Sequence, residues 1–331
     1  MKYIVTGASG LIGSAAVWAL NKAGEHDILA VDHLGTSEKW KNLRALRFTD
    51  YMERDTFMEY LLQGDILDGV QGIIHMGACS STTETDATYL VHNNFEYTKT
   101  LAELAAAKGI RFIYASSAAT YGDGEQGYKD DESQIEKLRP LNMYGYSKQM
   151  FDLWAKKSGL LKEITGVKFT NVYGPNELHK GGMRSMVCRS FEQIRDNGCV
   201  NLFKSYHPDY ADGEQKRDFL YVKDAVKMLW HLACVNREAH GLFNIGSGRA
   251  ETWNALVDAA FKALNVPKHV EYIEMPEHLR DRYQYYTCAE MDKLHAAGYT
   301  EEAGSLEDSV RDYLVNYCAK DKYQKHYTLS G

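Results

Sequence analysis

The sequence predicts an α/β protein built on a Rossmann-like, doubly wound parallel sheet, with a smaller, partly interleaved domain in its C-terminal half. Two observations predict this fold: a glycine-rich turn between a strand and a helix near the N-terminus, and strands that alternate with helices as far as residue 173. Such alternation is typical of a parallel sheet covered by helices, in which ligands bind at the carboxyl ends of the strands.

The chain starts with an apolar strand over residues 2–6, and Gly7-Ala8-Ser9-Gly10-Leu11-Ile12-Gly13 connects it to a helix that reaches about residue 23. Glycines permit a tight turn there, and the helix N-terminus presents backbone N–H groups to a pyrophosphate. A second strand over residues 27–32 ends in Asp32, the position at which an acid binds a ribose hydroxyl in dinucleotide-binding folds. A glycine-rich turn without a ligand is the alternative, but the order of these elements favours a dinucleotide site.

Further elements continue the alternation, with strands predicted over 72–76, 111–117 and 167–173 and a long helix over 86–108. Gly77-Ala78 and Ser116-Ser117 therefore lie at the carboxyl ends of strands, where ligands bind. After Tyr173 the pattern becomes irregular, and only 218–222 and 241–246 are typical of strands that return to the sheet. We expect a dinucleotide-binding domain over 1–172 with returning strands near 218–250, and a substrate-binding domain over 173–217 and 251–331.

Tyr144 and Lys148 are four residues apart in a segment predicted to be helical, so their side chains share one face of the helix. A free tyrosine has a pKa of about 10, too high for proton transfer at neutral pH, and a nearby lysine cation lowers that pKa. Such a pair can remove a proton from a sugar hydroxyl while a nicotinamide accepts a hydride. Tyr-x-x-x-Lys also occurs by chance on surface helices, so its weight comes from the dinucleotide motif that precedes it.

Length, charge and cysteine pattern exclude several classes of protein. The chain of 331 residues is long enough for one large or two modest domains, and its net charge of −7 argues against broad nucleic-acid binding. No apolar run approaches the ~20 residues that span a membrane, and the N-terminus enters a strand without a signal-peptide pattern. The six cysteines lack a Cys-x-x-Cys motif, which predicts neither a disulfide framework nor a zinc site and fits a reducing cytoplasm.

The glycine motif, Ser116-Ser117, the Tyr-x-x-x-Lys motif and Asn-Val-Tyr-Gly-Pro at residues 171–175 follow one another along the chain. This order resembles the extended short-chain dehydrogenase/reductase family. Longer motifs resemble one branch of it, the ADP-L-glycero-D-manno-heptose 6-epimerases, over residues 77–84, 114–121, 141–148, 179–183 and 243–251. The resemblance covers nearly the whole chain. It implies an enzyme that inverts C6 of ADP-D-glycero-β-D-manno-heptose through a 6-keto intermediate, for the supply of lipopolysaccharide core heptose.

By this resemblance, the catalytic residues are Tyr144 as the first acid/base, Lys148 on the nicotinamide ribose, Ser117 on the reacting oxygen, and Lys180 as a second acid/base. After the ketone rotates, its oxygen no longer points at the first proton donor, so a second donor has to meet it. Local sequence by itself favours a solvated loop lysine or a phosphate contact for Lys180. The adjacent His179 is a rival proton donor.

Two differences from related enzymes reduce the number of reactions that this sequence could catalyse. Sugar-nucleotide dehydratases that resemble this fold carry an acidic pair beside the serine motif, where this chain has Ala118 and Ala119, which transfer no protons. Fucose-synthase-like epimerase/reductases place a cysteine near the same strand end, and this sequence has none there. We therefore expect a cofactor that is regenerated in each cycle and stays tightly bound.

Asp32 by itself favours NAD, because its carboxylate repels a 2′-phosphate. Lys39 and Arg54 match cofactor-contacting positions of the epimerases and would neutralise that phosphate, so we expect NADP, with NAD as the alternative. Three other matched positions have a plain loop or helix-interior role as their alternative: Ala78, Ser80 and Asn93. The full expected cofactor set is Gly7, Gly10, Leu11, Ile12, Gly13, Asp32, His33, Lys39, Arg54, Met76, Gly77, Ala78, Cys79, Ser80, Asn93, Lys148, Val172 and Lys180.

The residues expected to bind the nucleotide sugar are Ser117, Asn171, Gly182, Arg189, Phe203, Lys204, Ser205, Arg217 and Tyr283. Arg217 suits a pyrophosphate because its planar fork donates two parallel hydrogen bonds, and a salt bridge to Asp218 or Asp212 is the alternative. Gly182 and Arg189 replace a serine and a histidine that are familiar in the family. These replacements concern fine substrate specificity more than the chemistry.

Two other functions are open to this sequence. A UDP-hexose 4-epimerase of the same fold would keep the glycines, Ser117, Tyr144 and Lys148 without requiring Lys180. A non-catalytic nucleotide-sensing module would keep the glycine turn and need not keep the Ser-Tyr-Lys set. The expected partner is a nucleotide sugar, with no nucleic acid and no membrane, and the resemblance implies a homo-oligomer, with a pentamer as the family expectation.

Overall fold

The computed structural model describes residues 1–64, 66–280 and 283–320. Its strands are β1 (Tyr3–Thr6), β2 (Ile28–Asp32), β3 (Asp50–Glu53), β4 (Gly72–His75), β5 (Arg111–Ser117), β6 (Thr165–Phe169), β7 (Asn171–Tyr173), β8 (Val200–Phe203), β9 (Lys216–Arg217), β10 (Phe219–Tyr221), β11 (Gly241–Ile245), β12 (Glu251–Thr252) and β13 (Val270–Ile273). Its α-helices are α1 (Leu11–Lys22), α2 (Arg54–Gln63), α3 (Ala87–Leu90), α4 (Tyr97–Ala107), α5 (Met143–Ser158), α6 (Met186–Asn197), α7 (Val222–Trp230), α8 (Trp253–Leu264), α9 (Glu277–Arg280), α10 (Asp292–Ala296) and α11 (Leu306–Tyr313).

Within the described residues, a seven-stranded sheet has the order β11-β6-β5-β4-β1-β2-β3, and every neighbouring pair is parallel. This topology confirms the predicted Rossmann-like, doubly wound fold. The chain proceeds outward from β1 in one direction and from β4 in the other, so a crevice opens between their carboxyl ends. The glycine motif follows β1 and Met76-Gly77 follows β4, which brings both segments to that crevice.

Alternate residues along the strands face opposite sides of the sheet, and helices cover both sides. On one side, Ile4 and Leu29 belong to a buried cluster that includes Phe57 of α2, Leu101 of α4 and Phe151 of α5. On the other side, β1 and β2 residues pack against α1 and α7 in a second cluster, which includes Val5, Ala30, Val17 and Met228.

A third buried cluster lies in the C-terminal half, where α6, α8 and α11 pack around the parallel pair β8 and β13. Leu11, Ala15 and Trp18 of α1 also belong to this cluster. The helix that follows the glycine motif therefore contacts both halves of the molecule. The proposed boundary at 172–173 stays a prediction, and the parts of the expected substrate-binding domain at residues 281–282 and 321–331 lie outside the described residues.

Two predicted elements are interrupted in the structure. The helix expected over 86–108 is not a continuous α-helix, because residues Val91–Glu96 between α3 and α4 form a π-helical turn. The strand expected over 167–173 ends at Phe169 and resumes at Asn171, since Thr170 N–H bonds to Ile245 and Asn171 N–H bonds to Asp218. The chain therefore pairs with β11 before Thr170, as β6, and with β10 after it, as β7. No helix in the described ranges has the length and apolar character needed to cross a membrane.

Candidate active site

A cleft of about 670 Å³ opens at the carboxyl ends of the strands and brings together the four expected catalytic residues. Ser117 reaches it from β5, Tyr144 and Lys148 reach it from α5, and Lys180 reaches it from a short helical turn over Leu178–Met183. Most residues of the expected cofactor set also line this cleft: Gly7, Gly10, Leu11, Ile12, Gly13, Asp32, His33, Lys39, Met76, Gly77, Ala78, Cys79, Ser80 and Val172.

The glycine turn approaches its neighbours too closely for side chains. Gly7 has a φ of +66°, and a Cβ added there would lie 2.6 Å from the backbone nitrogen of Gly77. A Cβ on Gly13 would lie 1.9 Å from the carbonyl oxygen of Gly7. The turn therefore packs β1, α1 and the end of β4 together and leaves the N-terminus of α1 facing the cleft, where a pyrophosphate would fit.

Asp32 at the end of β2 is held by several donors at once. The Ser9 amide donates to Oδ2 at 2.8 Å, together with the Ser9 hydroxyl, while the His33 amide and Lys39 Nζ donate to Oδ1, each at 2.7 Å. Lys39 thereby neutralises the acid that sequence alone associates with NAD. The carboxylate is 9% exposed and the lysine side chain 20%, so water screens this pair only in part.

Arg54 and Asn93 lie in an adjoining pocket of about 130 Å³, which shares Asp32, His33 and Lys39 with the main cleft. Arg54 donates a hydrogen bond to the Asn93 side chain and pairs with the exposed carboxylate of Asp55 at 2.9 Å. Asn93 belongs to the π-helical turn, and turns of this kind are frequent at functional sites. Asn93 therefore lines this pocket from a π-helical turn, and its contact with a cofactor stays a prediction.

Asn94, the next residue of the π-helical turn, holds the loop after β4 in place, and sequence reasoning did not single it out. Its side chain accepts from the Cys79 amide at 2.8 Å and donates to the Cys79 carbonyl at 2.9 Å and to Ser147 on α5 at 3.0 Å. Two adjacent asparagines in a helix were a signal for it, because asparagine is a poor helix former that makes local hydrogen bonds.

Asn142 starts α5, since its side chain accepts a hydrogen bond from the Gly145 amide at 2.8 Å. The helix then presents Tyr144 and Lys148 to the cleft one turn apart, as the spacing predicts. Lys148 Nζ donates to the Ala115 carbonyl at 2.7 Å. Ser117, the residue after Ser116 on β5, caps the following turn by accepting from the Ala119 amide at 3.1 Å.

Burial dominates the protonation of this pair. It lowers the pKa of Lys148 to about 8, against the opposing influence of Asp152 and Cys79. Burial raises the pKa of Tyr144, while a hydrogen bond with Ser117 acts in the opposite direction. The sequence predicts that Lys148 lowers the pKa of Tyr144, but in the structure burial outweighs any such effect.

A buried ion pair connects α5 to the central sheet, and sequence reasoning missed it. Asp152 and Lys168 of β6 are 3.0 Å apart, with side-chain exposures of 0% and 1%. Asp152 also accepts from Tyr114 at 2.8 Å and from Ser116 at 2.7 Å, and Lys168 donates to Thr120 at 2.6 Å. The pair ties the Tyr144 helix to the strand and turn that carry Ser117. Its sequence signal was an acid four residues after Lys148 on the same helix face.

His179 and Lys180 differ in their surroundings and in the causes that shift their pKa values. The side-chain amide of Asn42 lies 3.3 Å from Nδ1 of His179, and burial, followed by the charges of Lys180 and Lys39, lowers the pKa of His179 to about 4. His179 is therefore neutral and lies beside the loop that follows β2. Burial also lowers the pKa of Lys180, whereas the charge of Glu177 raises it. A neutral His179 has no ammonium-like proton to donate at neutral pH, which favours Lys180 as the expected second acid/base.

The other expected substrate residues lie away from the lining of this cleft. Arg217 stacks on Tyr283 and Trp253, 5.1 and 5.7 Å from the ring centres, and donates to the carbonyls of Lys216 and Gln284. The alternative of a salt bridge to Asp218 or Asp212 is wrong, because Asp218 accepts from Ser247, Gly248 and Ala289 and Asp212 accepts from Ser205.

The remaining substrate candidates are spread over several elements. Lys204 follows β8, where Phe203 is the last residue, and pairs with Glu274 at 2.7 Å. Gly182 is exposed, and a Cβ added there would meet no atom within 4 Å, while Arg189 is exposed on α6. Asn171, at the start of β7, donates to the Asp218 carbonyl at 3.3 Å.

Known proteins resemble this chain in sequence and in fold. The model of the NAD dependent epimerase/dehydratase family matches residues 3–246. An ADP-L-glycero-D-manno-heptose-6-epimerase of Nitratidesulfovibrio vulgaris is 55% identical over 317 residues, which cover 96% of this chain and 98% of the relative. The chain belongs to the ADP-L-glycero-D-manno-heptose-6-epimerase family. A further member from Fusobacterium nucleatum is 50% identical over 327 residues, with 96% and 98% coverage.

Solved structures of this and neighbouring families have the same fold. The ADP-L-glycero-D-manno-heptose-6-epimerase of Helicobacter pylori is 24% identical, covers 95% of both chains and has a TM-score of 0.78. The UDP-glucose 4-epimerase of Thermotoga maritima, solved with UDP-glucose, is 23% identical, with 97% and 100% coverage and a TM-score of 0.76. Membership of the 6-epimerase family confirms the resemblance and makes the chain an epimerase of the NAD(P)-dependent type.

Proposed function

We propose that this epimerase interconverts ADP-D-glycero-β-D-manno-heptose and its L-glycero epimer by inverting C6, in the cytoplasm, for lipopolysaccharide core synthesis. The observation that carries the proposal is that two proton-transferring side chains, Tyr144 and Lys180, reach one cleft from separate elements. Inversion through a ketone needs a proton donor on each side of the substrate, whereas a one-sided oxidation needs only one. The names of relatives at 50–55% identity support the choice of substrate.

In this mechanism Tyr144 acts as tyrosinate, a form that the ammonium of Lys148 and the positive charge of a bound oxidised nicotinamide would stabilise against the effect of burial. It takes the proton of the C6 hydroxyl, with Ser117 hydrogen-bonded to the same oxygen. A nicotinamide dinucleotide in the cleft would accept a hydride from C6 and return it to the opposite face of the 6-keto sugar. Lys180 then donates a proton to the rotated oxygen, and the reverse reaction exchanges the two roles. Neutral His179 lies beside Asn42, whose two amide hydrogens go to the Ser9 and Asn176 carbonyls, and is assigned a structural role instead.

The chain's own residues fit such a dinucleotide. The Gly7 and Gly13 positions leave no room for side chains, which permits close approach of the backbone to a pyrophosphate. Lys148 would hold the nicotinamide ribose from the end of the cleft that Tyr144 lines. We assign NADP as the preferred cofactor, because Lys39 neutralises Asp32 and Arg54 lines the small pocket beside it. Asp32 accepting a ribose hydroxyl of NAD is the alternative.

The substrate is assigned to the region between the cleft and the aromatic side chains around Arg217. Arg217 is buried, and its hydrogen bonds in the structure go to backbone carbonyls, which leaves its charge for a pyrophosphate. A homo-oligomer is part of the proposal, with a pentamer as the family expectation, and light scattering after size-exclusion chromatography measures its mass.

A direct test incubates the purified protein with ADP-D-glycero-β-D-manno-heptose, without added cofactor, and follows the sugar by proton NMR. We expect the L-glycero epimer to appear, which requires a retained and recycled dinucleotide. No conversion even after addition of NADP or NAD would overturn the proposal, and conversion of a UDP-hexose instead would favour the 4-epimerase alternative.

The Lys180→Ala variant separates the two epimerases further. We expect it to lose about 10²–10⁴-fold in rate if Lys180 is the second acid/base, whereas a 4-epimerase would not depend on it. Lys157→Ala, an exposed lysine at the other end of α5, is the matched control and should keep wild-type turnover. If His179→Ala lost activity while Lys180→Ala kept it, the two roles would have to be exchanged.

A further inference from the structure

Glu177 is fully buried at the start of the segment that carries Lys180. One carboxylate oxygen accepts from the Gly174 amide at 3.3 Å and from the Ser185 hydroxyl at 2.6 Å, and the other accepts from the Ser185 amide. Gly174 and Ser185 are the first and last residues of this segment. A single carboxylate therefore joins both ends of residues 174–185.

Two asparagines fix the same segment to the cofactor side of the molecule. The side chain of Asn176, a residue with a φ of 75°, donates to the Ser14 hydroxyl on α1 at 3.0 Å. Asn42 donates to the Asn176 carbonyl at 3.0 Å and to the Ser9 carbonyl at 2.8 Å. Hydrogen bonds thus attach the segment to α1, and Glu177 connects its two ends. Lys180 lines the cleft from this fixed segment.

We propose that Glu177 is a positioning residue for Lys180: its carboxylate closes the segment that presents Lys180 to the cleft and supplies the negative charge that stabilises the ammonium there. This inference rests on the proposed function, in which Lys180 is the second acid/base. A buried carboxylate is costly unless it is satisfied, and three neutral donors of the backbone and of Ser185 satisfy this one. Because these donors are neutral, they do not cancel the negative charge of Glu177. That charge attracts the Lys180 ammonium, and water screens the attraction only weakly at buried sites.

The groups around both residues support this assignment. Lys180 lines the same cleft as Tyr144, Lys148 and the Asp32–Lys39 pair, with His179 beside it in the chain. Burial lowers the pKa of Lys180, and the charge of Glu177 acts in the opposite direction. On its other side Glu177 faces C-terminal residues whose pKa values its charge raises, Tyr313 and Cys318.

A labelling experiment tests the electrostatic part without depending on enzyme activity. Acetic anhydride acylates neutral amines, so the extent of Lys180 modification against pH, read by mass spectrometry, reports its protonation. We expect the Glu177→Gln variant, loaded with the same cofactor as wild type, to be modified at lower pH than wild type. An unmoved midpoint would overturn the inference even if the protein is an epimerase.

The Glu192→Gln variant is the matched control, since Glu192 pairs with Arg184 at the far end of the same segment. Glu192→Gln removes a negative charge beside the segment and leaves the hydrogen bonds of Glu177 unchanged. Its labelling midpoint should equal that of wild type, and a shift equal to that of Glu177→Gln would assign the effect to net charge and overturn the inference. Ser185→Ala keeps the Glu177 charge and removes one hydrogen bond, so it should leave the midpoint in place.

A kinetic experiment tests the positioning part. Starting from the D-glycero epimer the first proton goes to Tyr144, and starting from the L-glycero epimer it goes to Lys180. The mixing is done above the labelling midpoints of both proteins, where Lys180 is neutral in each, so that only its position differs. For Glu177→Gln we expect the nicotinamide absorbance change to keep its rate with the D-glycero epimer and to slow about 10²-fold with the L-glycero epimer. Equal slowing from both epimers would show a merely structural role. If wild type responds to neither sugar, the proposed function fails, while the labelling result still decides the role of Glu177.

Discussion

Lys39 Nζ lies 2.7 Å from Oδ1 of Asp32, so the acid that ends β2 is part of an ion pair. Sequence patterns alone assign an acid at this position to the ribose of NAD. In this chain the pair removes the net negative charge that would repel a 2′-phosphate, and Arg54 adds a cation to the pocket beside it. In the proposed assignment of NADP, cofactor preference depends on this contact between two segments, which the Asp32 position by itself cannot show.

Replacement of Lys39 should weaken the binding of NADP relative to that of NAD. In Lys39→Ala, Asp32 regains an uncompensated charge, so we expect NADP to bind about 10-fold or more weakly, in line with ~1.5–3 kcal/mol for a hydrogen bond to a charged group. NAD affinity should change little. Calorimetry with both nucleotides on cofactor-free protein measures this. Lys41→Ala, which removes the pair with Glu38 nearby, is the control and should keep the preference for NADP.

The buried pair under α5 should dominate the stability of the site. In Asp152→Asn the ammonium of Lys168 loses its partner in a dry environment, and we expect a loss of ~3–5 kcal/mol in the free energy of unfolding. The double variant with Lys168→Met should recover part of that loss. Denaturant unfolding measures both. Asp68→Asn, which breaks the exposed pair with Lys108, should cost at most ~1 kcal/mol, and an equal loss in both variants would contradict the argument.

Turnover should fall as the pH rises through about 8. Burial lowers the pKa of Lys148 to about 8, so its ammonium, which holds the nicotinamide ribose in the proposed mechanism, is lost above that pH. Tyr144 does not cause this limb, since burial raises its pKa from the usual value of about 10. Burial also lowers the pKa of Lys180, so the part of the limb that remains in Lys148→Arg is assigned to loss of the Lys180 proton. A pH profile of kcat measures it. Lys148→Arg keeps its charge and should move the limb to higher pH, while Lys157→Arg should leave it unchanged.

The glycine turn offers a paired test of geometry. Gly7→Ala places a Cβ 2.6 Å from the Gly77 backbone at a φ of +66°, so the end of β4 has to move and dinucleotide binding should be lost. Gly24→Ala adds the same kind of strain at a φ of +83° with no atom within 4 Å. The left-handed backbone should cost both variants ~1–2 kcal/mol of stability, and Gly7→Ala should lose more because of its clash with the Gly77 backbone. Calorimetry should find wild-type NADP affinity only in Gly24→Ala, and tight binding by Gly7→Ala would refute the close-packing argument.

Local pattern predicted the elements that depend on short-range signals. The strand over 111–117 is β5, and the glycine turn, the Tyr144 helix and Asp32 occupy the positions expected of them. The helix over 86–108 is wrong as a continuous α-helix, because the asparagines at 93 and 94 bond to partners distant in sequence, Arg54 and Cys79. The strand over 167–173 breaks at Thr170 for a similar reason, since its two halves pair with β11 and with β10.

What the sequence by itself determined is the fold class, the family, and the four side chains expected to carry the chemistry, because periodicity, glycines and motif order are properties of neighbouring residues. Only the tertiary structure decided what surrounds those side chains: the Lys39 partner of Asp32, the Lys168 partner of Asp152, and the closure of the Lys180 segment by Glu177. Charges, burial and proton affinity depend on atoms that are close in space and far apart along the chain, and no pattern along the chain records those distances.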